Sequence, residues 1–382
     1  MNSIYLDHNA TTPLDPLVRA EMEKAWDAFG NPSSLHAQGQ AARALIDRAR
    51  SRVAKLIGAQ PDEILLTGGG TEADNLAIQG VASLGANGSR QQVLASAIEH
   101  QAVLNPCRHL QAQGKPVFFI PVDDNGLVRL NALSQALQEK SALVSVMLAN
   151  NDTGVIEPVA EIVSLAKVAG SLVHTDAVQA VGKIPVDVKA LGVDFLSFSS
   201  HKLNGPMGVG ALYIRRGVKI AAILFGGHQE KSLRPGTENV PGIAGFGKAC
   251  ELASQRLQDN PASVTDLRVY FENEILKRIP GTSINSVNVP RLPNTANIAF
   301  EGLNGEALAI NLDLLQVAVS TGAACATMDQ EPSHVLTAMG QSREKASSAI
   351  RFSFSHTNTP AEIEEALVRI IQAVESIRES HA

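Results

Sequence analysis

Over its first two-thirds this chain alternates short β-branched runs with segments of helical period, and nothing else in it constrains the fold as much. Ala42, Leu45, Ile46, Ala49, Val53, Leu56 and Ile57 share one helical face. The run 63–67 then reads as a strand and 71–81 as a helix. Strand 93–97 precedes helix 102–112, strand 117–122 precedes helix 130–138, and strand 143–149 precedes helix 159–169. Strands 172–175, 195–199 and 211–214 follow. This order predicts a mostly parallel sheet with helices on both faces. Ligands of such sheets bind beyond the carboxyl ends of the strands, so chemistry is sought just after each strand.

Beyond about Pro241 the pattern changes. A long helix is expected over 264–279 and a last one over 363–374. Thr359-Pro360-Ala361-Glu362 opens the last as a capping box with proline in the first turn. Strands near 297–300 and 351–353 interrupt them, which reads as a smaller α+β unit beginning near 255. The chain is long enough for two or three domains, with 382 residues, 45% hydrophobic and 18% charged.

Lys and Arg number 32 against 38 Asp and Glu, a net charge of −6, so no global pull toward nucleic acid or acidic membranes is expected. Met1-Asn2-Ser3-Ile4-Tyr5-Leu6-Asp7 has no basic stretch followed by an apolar run. The apolar stretch 142–149 is short and broken by Ser145, far from the roughly 20 residues of a spanning helix. A cytoplasmic protein is the expectation. Cys107, Cys250 and Cys325 are too few and too scattered for a disulfide framework or a zinc site.

Four segments carry candidate chemistry. Thr67-Gly68-Gly69-Gly70-Thr71-Glu72 follows a strand and opens a helix. It reads as a phosphate cradle with Thr71 as donor, or as an ordinary glycine-rich turn. In His174-Thr175-Asp176-Ala177-Val178-Gln179, Asp176 stands at a strand end. It can pair with a protonated pyridine nitrogen or cap a helix. Ser199-Ser200-His201-Lys202 also ends a strand, and Phe195, Leu196 and Phe198 make its surroundings apolar. Lys202 can form a Schiff base there, or be a surface lysine in a loop. In Val319-Ser320-Thr321-Gly322-Ala323-Ala324-Cys325-Ala326 the small neighbours of Cys325 suit an exposed nucleophilic thiol. A buried structural cysteine is the alternative, and Cys107 and Cys250 fit it better.

Together these segments form one device: cradle, ring-nitrogen acid, Schiff-base lysine and thiol. The chain resembles the cysteine desulfurases of the NifS/IscS type, a branch of the class V aminotransferases. The matching motifs begin at Tyr5-Leu6-Asp7-His8-Asn9-Ala10-Thr11-Thr12. They continue through Gly30-Asn31-Pro32-Ser33-Ser34-Leu35-His36, Glu99-His100-Gln101-Ala102-Val103 and Asn150-Asn151-Asp152-Thr153-Gly154 to Arg234-Pro235-Gly236-Thr237-Glu238-Asn239. The resemblance runs to the last helix and so covers nearly the whole chain.

It implies a fold-type-I enzyme of pyridoxal 5′-phosphate (PLP), with a mostly parallel seven-stranded sheet between helices. Residues 14–255 would form the large PLP-binding α/β domain. Residues 1–13 with 256–382 would form the small α+β domain carrying the cysteine loop. The implied reaction removes sulfur from L-cysteine, giving L-alanine and a persulfide on Cys325. Lys202 would hold the cofactor and take the α-proton, and His100 would stack on the ring and complete the proton traffic. Asp176 would pair with the ring nitrogen and Gln179 with the ring's phenolic oxygen. Asn151 would contact the ring oxygen or the substrate. Gly70, Thr71, Ser199 and His201 would hold the phosphate, joined by Thr237 of the partner subunit. Arg351 would clamp the substrate carboxylate.

The implied partners are L-cysteine, a second copy of the chain, and a sulfur acceptor such as an iron–sulfur scaffold or a tRNA-thiolation protein. Nucleic acid, membrane and metal have no implied place. Rival readings are a selenocysteine lyase, an aminotransferase in which Cys325 is incidental, and a non-catalytic persulfide carrier, against which Lys202 and Asp176 argue. The sequence departs from the commonest family pattern at His8, at Met207, at Thr321-Gly322-Ala323-Ala324-Cys325 and just after the cysteine. The segment around Cys325 buries little side chain and is expected to be mobile.

Overall fold

The computed structural model describes residues 3–84, 92–259, 262–322 and 331–380. Cys325 and the expectation of mobility around it lie outside the described residues. In chain order the strands are β1 (Ile4–Tyr5), β2 (Ile64–Thr67), β3 (Gln92–Ser96), β4 (Val117–Ile120), β5 (Ser141–Ser145) and β6 (Leu172–Asp176). Then come β7 (Phe195–Ser199), β8 (Gly210–Ile214), β9 (Thr282–Ile284), β10 (Thr295–Phe300), β11 (Val317–Ala318) and β12 (Ala349–Ser353).

Seven of them form one sheet in the order β2-β8-β7-β6-β5-β3-β4. β7, β6, β5, β3 and β4 pair in parallel, and β8 runs antiparallel to both of its neighbours. β5, β7 and β8 are buried along their whole length, which is why they read as continuous apolar runs. Two apolar clusters cover the faces of this sheet. One is built on Ile46, Val144, Val173 and Phe198, the other on Leu65, Leu76, Val93 and Phe195. The seven-stranded, mostly parallel sheet expected from the sequence is therefore present.

A third cluster sits apart. Ile4 and Leu6 pack there with Phe271, Phe300, Phe352 and Ile370 over the antiparallel sheet β12-β10-β9. Phe271 meets the rings of Phe352 and Phe354 at centroid distances of 4.8 and 5.2 Å. The chain's first strand is thus an element of the later unit, through its pairing with β11. The expected limit at 255 falls inside the helix Val240–Asp259.

Most expected elements are present with shifted ends. The helix expected over 71–81 is Gly70–Leu84, that over 264–279 is Ala262–Arg278, and the last is Pro360–Ser380. The capping box forms: Thr359 N–H donates to Glu362 Oε2 at 2.8 Å and Glu362 N–H to Thr359 Oγ1 at 3.2 Å. The strand expected over 143–149 ends at Ser145. Beyond it only alternate N–H groups still reach β6, Val146 to His174 and Leu148 to Asp176, so the apolar run leaves the ladder while staying buried.

Candidate active site

The carboxyl ends of β6 and β7, the start of the helix Gly70–Leu84 and the turn before the helix Gln101–Ala112 converge on one cavity of about 230 Å³. Gly70, Thr71, His100, Asn151, Asp176, Gln179, Ser199, His201 and Lys202 all line it. Nine of the residues proposed from sequence are thus brought together from five stretches of chain.

The glycine-rich turn is held tightly. Thr67 Oγ1 donates to the Gly69 carbonyl at 2.9 Å, and Glu72 Oε2 accepts the Gly68 N–H at 2.8 Å. A Cβ on Gly70 would stand 2.7 Å from Val178 Cγ2, so the turn lies directly on the segment after Asp176. The helix begins at Gly70, and the first N–H groups of a helix have no acceptor within it, which suits an anion there.

Asp176 ends β6 inside the protein, and Val178 N–H donates to its Oδ1 at 2.8 Å. Burial, and then the nearby Asp74, push its carboxyl up to about 7. Among the described residues it forms no ion pair within 4 Å, although Lys202 lines the same cavity and feels its charge, so a cation that binds against it would be favoured. His100 caps the helix Gln101–Ala112, its Nδ1 accepting the Ala102 N–H at 3.1 Å. The helix-cap reading and the functional one therefore hold together. Burial lowers the His100 pKa, so the neutral ring carries its proton on Nε2.

Lys202 Nζ donates to the carbonyls of Asn9 at 2.5 Å and Ala10 at 2.7 Å. Burial first, and then Arg351, bring its pKa down to about 8, which makes it a competent amine nucleophile near neutral pH. His201 Nδ1 lies 3.1 Å from Thr11 Oγ1, and burial holds that ring near 4.

Three proposed residues stand otherwise. Arg351 is buried but does not line the cavity: its Nη2 pairs with Asp7 at 2.8 Å and its Nη1 donates to the Asn151 carbonyl at 3.2 Å. Thr237 is exposed and away from the cavity of its own chain. Cys325 lies outside the described residues. The other two cysteines are buried, and burial pushes Cys107 up to about 12 and Cys250 well above its usual range, so neither is a ready thiolate.

Sequence reasoning missed Asn9, Asp74 and Lys183. Asn9 stood inside a quoted motif, but nothing in the motif showed that its carbonyl accepts from Lys202. Asp74 lines the cavity within the helix Gly70–Leu84, and burial raises it to about 7. Only the fold places it beside His174, at 3.4 Å.

The donor set fits pyridoxal phosphate. A buried carboxylate with no direct ion-pair partner among the described residues suits a pyridinium N–H. Asn151 Oδ1 is buried without a hydrogen-bond partner. A helix N-terminus beside Thr71, Ser199 and His201 suits a phosphate. A parallel α/β fold with a lysine of this kind at a strand end defines an enzyme acting through an amine-bound aldehyde cofactor.

Comparison with known proteins agrees. The class-V aminotransferase family profile matches residues 4–366. A cysteine desulfurase of Sinorhizobium fredii is 46% identical over 383 residues, covering 100% of this chain and 98% of that protein. A solved NifS-like protein superposes with a TM-score of 0.91 at 37% identity, covering 98% of this chain and 99% of the other. SspA, solved in complex with cysteine, superposes with a TM-score of 0.82 at 34% identity, covering 92% and 99%. The chain belongs to the class-V aminotransferase family, whose enzymes depend on pyridoxal phosphate.

Proposed function

We propose that this protein is a cysteine desulfurase, removing sulfur from L-cysteine and leaving L-alanine. The observation that carries the reading is the joining of Lys202, Asp176 and His100 in one cavity, in a chain 46% identical over its whole length to a cysteine desulfurase. The cofactor, when bound, supplies an electron sink for the α-carbon of the substrate.

Lys202 would hold the cofactor and take the α-proton on its free amine. Asp176, anionic opposite the ring nitrogen, would keep that nitrogen protonated. His100 would carry a proton on Nε2 at the cavity wall. Gly70, Thr71, Ser199 and His201 would bind the phosphate, joined by Thr237 of the partner subunit in a homodimer. Gln179 and Asn151 would bond the ring oxygens, and Arg351 the substrate carboxylate, for which its buried Nε has no other partner among the described residues.

Sulfur transfer would fall to the Cys325 thiolate. It would attack the substrate sulfur, forming an S–S bond as the C–S bond breaks. Protons would complete alanine, and a persulfide would remain on Cys325 for an iron–sulfur scaffold or a tRNA-thiolation protein in the cytoplasm. Among the described residues no helix is long and apolar enough to cross a membrane.

The test is incubation of the purified protein with PLP, L-cysteine and excess dithiothreitol, which reduces the persulfide, assaying alanine and sulfide, with mass spectrometry after brief exposure to L-cysteine without dithiothreitol. Equimolar alanine and sulfide, and one added sulfur on the peptide containing Cys325, are expected. Cys325→Ser should bind both ligands and release no sulfur, because a hydroxyl is a poor nucleophile toward sulfur. Sulfur found on Cys107 or Cys250, or full activity in the serine variant, would overturn the assignment.

A further inference from the structure

Lys183 has no carboxylate beside it among the described residues, yet it lies one contact from the cofactor cavity. Its Nζ donates to Gln179 Oε1 at 2.6 Å and to Asn9 Oδ1 at 2.9 Å. An ammonium has donors only, so both amides must turn their oxygens toward it. Gln179 Nε2 is thereby turned away, and it donates to the Asn9 carbonyl at 3.0 Å. That same carbonyl accepts from Lys202. The Asn9 amide is held from its other side too, donating to the Asn151 carbonyl at 3.1 Å and to Thr295 Oγ1 at 2.9 Å. Gln179, Asn151 and Lys202, three residues of the cavity wall, thus meet through one asparagine that Lys183 orients.

We propose that Lys183 is a positioning residue for the desulfurase reaction: it holds Gln179 with its N–H donors toward the cofactor cavity and keeps a positive charge behind them. This rests on the reading of Lys202 and Gln179 as cofactor ligands.

In the cofactor-free protein the surroundings oppose this charge. Burial, then Lys202 and Arg351, push the Lys183 ammonium well below its usual range. His8, which burial keeps near 4 with Lys183 adding to the effect, is the other basic neighbour. Asp176 and Asp7 act on Lys202. Negative charge arriving with a bound cofactor favours the ammonium. In return, the ammonium favours the deprotonated, more negative form of the lysine-bound cofactor. Without Lys183 that charge is lost, and the Gln179 amide is free to flip its oxygen toward the phenolic oxygen. Both changes raise the pH at which the lysine-bound cofactor titrates.

The experiment is an absorbance titration of the holoenzyme from about pH 6 to 10, with melting of the apo-protein alongside. Lys183→Met should raise the titration midpoint by about one unit. Lys183→Arg should restore it, since a guanidinium also has donors only. A lysine that merely supports the fold would lower the melting temperature and leave the midpoint unchanged, which overturns the proposal. Gln179→Leu removes the amide that Lys183 orients, so adding Lys183→Met to it should shift the midpoint less far than in the wild type, the charge alone remaining. An equal shift in that background also overturns it. Lys183→Gln reads the same midpoint should the methionine variant not fold. A wild-type protein with no titrating Lys202–PLP band would fault the cofactor reading, not Lys183.

Discussion

Asp176 and Lys202 are each shifted toward neutrality, the acid up to about 7 and the amine down to about 8, and burial is the first cause of both. An acid whose folded pKa is raised withdraws stability as pH rises from its unfolded value near 4 through 7. Apo Asp176→Asn should therefore melt higher than the apo wild type at pH 7.5, with the gap closing as pH falls to about 3, below the unfolded value. With PLP bound the same variant should be slow, because a neutral amide does not keep the ring nitrogen protonated. Calorimetry at the two pH values and single-turnover kinetics check both halves; unchanged melting at pH 7.5 would show that Asp176 is relieved by a partner in the apo-protein. Lys202→Ala should lose the borohydride-reducible adduct entirely. Lys183 is the other amine near the cavity, and its Nζ is engaged by Gln179 and Asn9. A reducible adduct retained in the variant would move the assignment away from Lys202.

At the scale of elements, the site depends on how closely the turn after β2 approaches the segment after β6. The Gly70 backbone lies where any side chain would strike Val178, a β-branched residue with little room to rotate away. Gly70→Ala should cost about 1–3 kcal/mol of stability through overpacking. It should also weaken PLP affinity, because the helix start and Thr71 move off the site together. Equilibrium unfolding and a cofactor titration measure the two effects separately. Unchanged PLP affinity would mean that the turn does not cradle the phosphate. The turn was legible as glycine-rich from sequence. Its need for glycine at position 70 was not, because Val178 lies more than a hundred residues away.

At the scale of the molecule, the N-terminal segment joins the later apolar cluster to the cavity. Ile4 and Leu6 are buried in the later cluster, while Asn9 and Ala10 receive the Lys202 amine. Asp152 makes a second link, from the loop carrying Asn151 to β10, by accepting from Asn297 Nδ2 at 3.0 Å. The proposed dimer also belongs to this scale. Thr237 is exposed in the single chain, so only a second copy would bring it to a phosphate. Mass measurement in solution should give twice 40.4 kDa, and Thr237→Val should lower PLP affinity severalfold without changing that mass. A monomer of full activity would refute the arrangement.

What the sequence determined by itself is local. Period, punctuation and strand-end placement are properties of neighbouring residues, and they announced the parallel sheet, the capping box at Thr359 and the candidate segments after β2, β6 and β7 that the fold brings to one cavity. The motif from Tyr5 to Thr12 likewise announced a family. Tertiary structure alone decided which distant groups share a dielectric. It put Asp74 beside His174, drew Arg351 onto Asp7, and set Lys183 against Gln179 and Asn9. Burial and charge proximity set pKa values and amide orientations, and both are defined only once segments far apart in the chain have closed around a common interior.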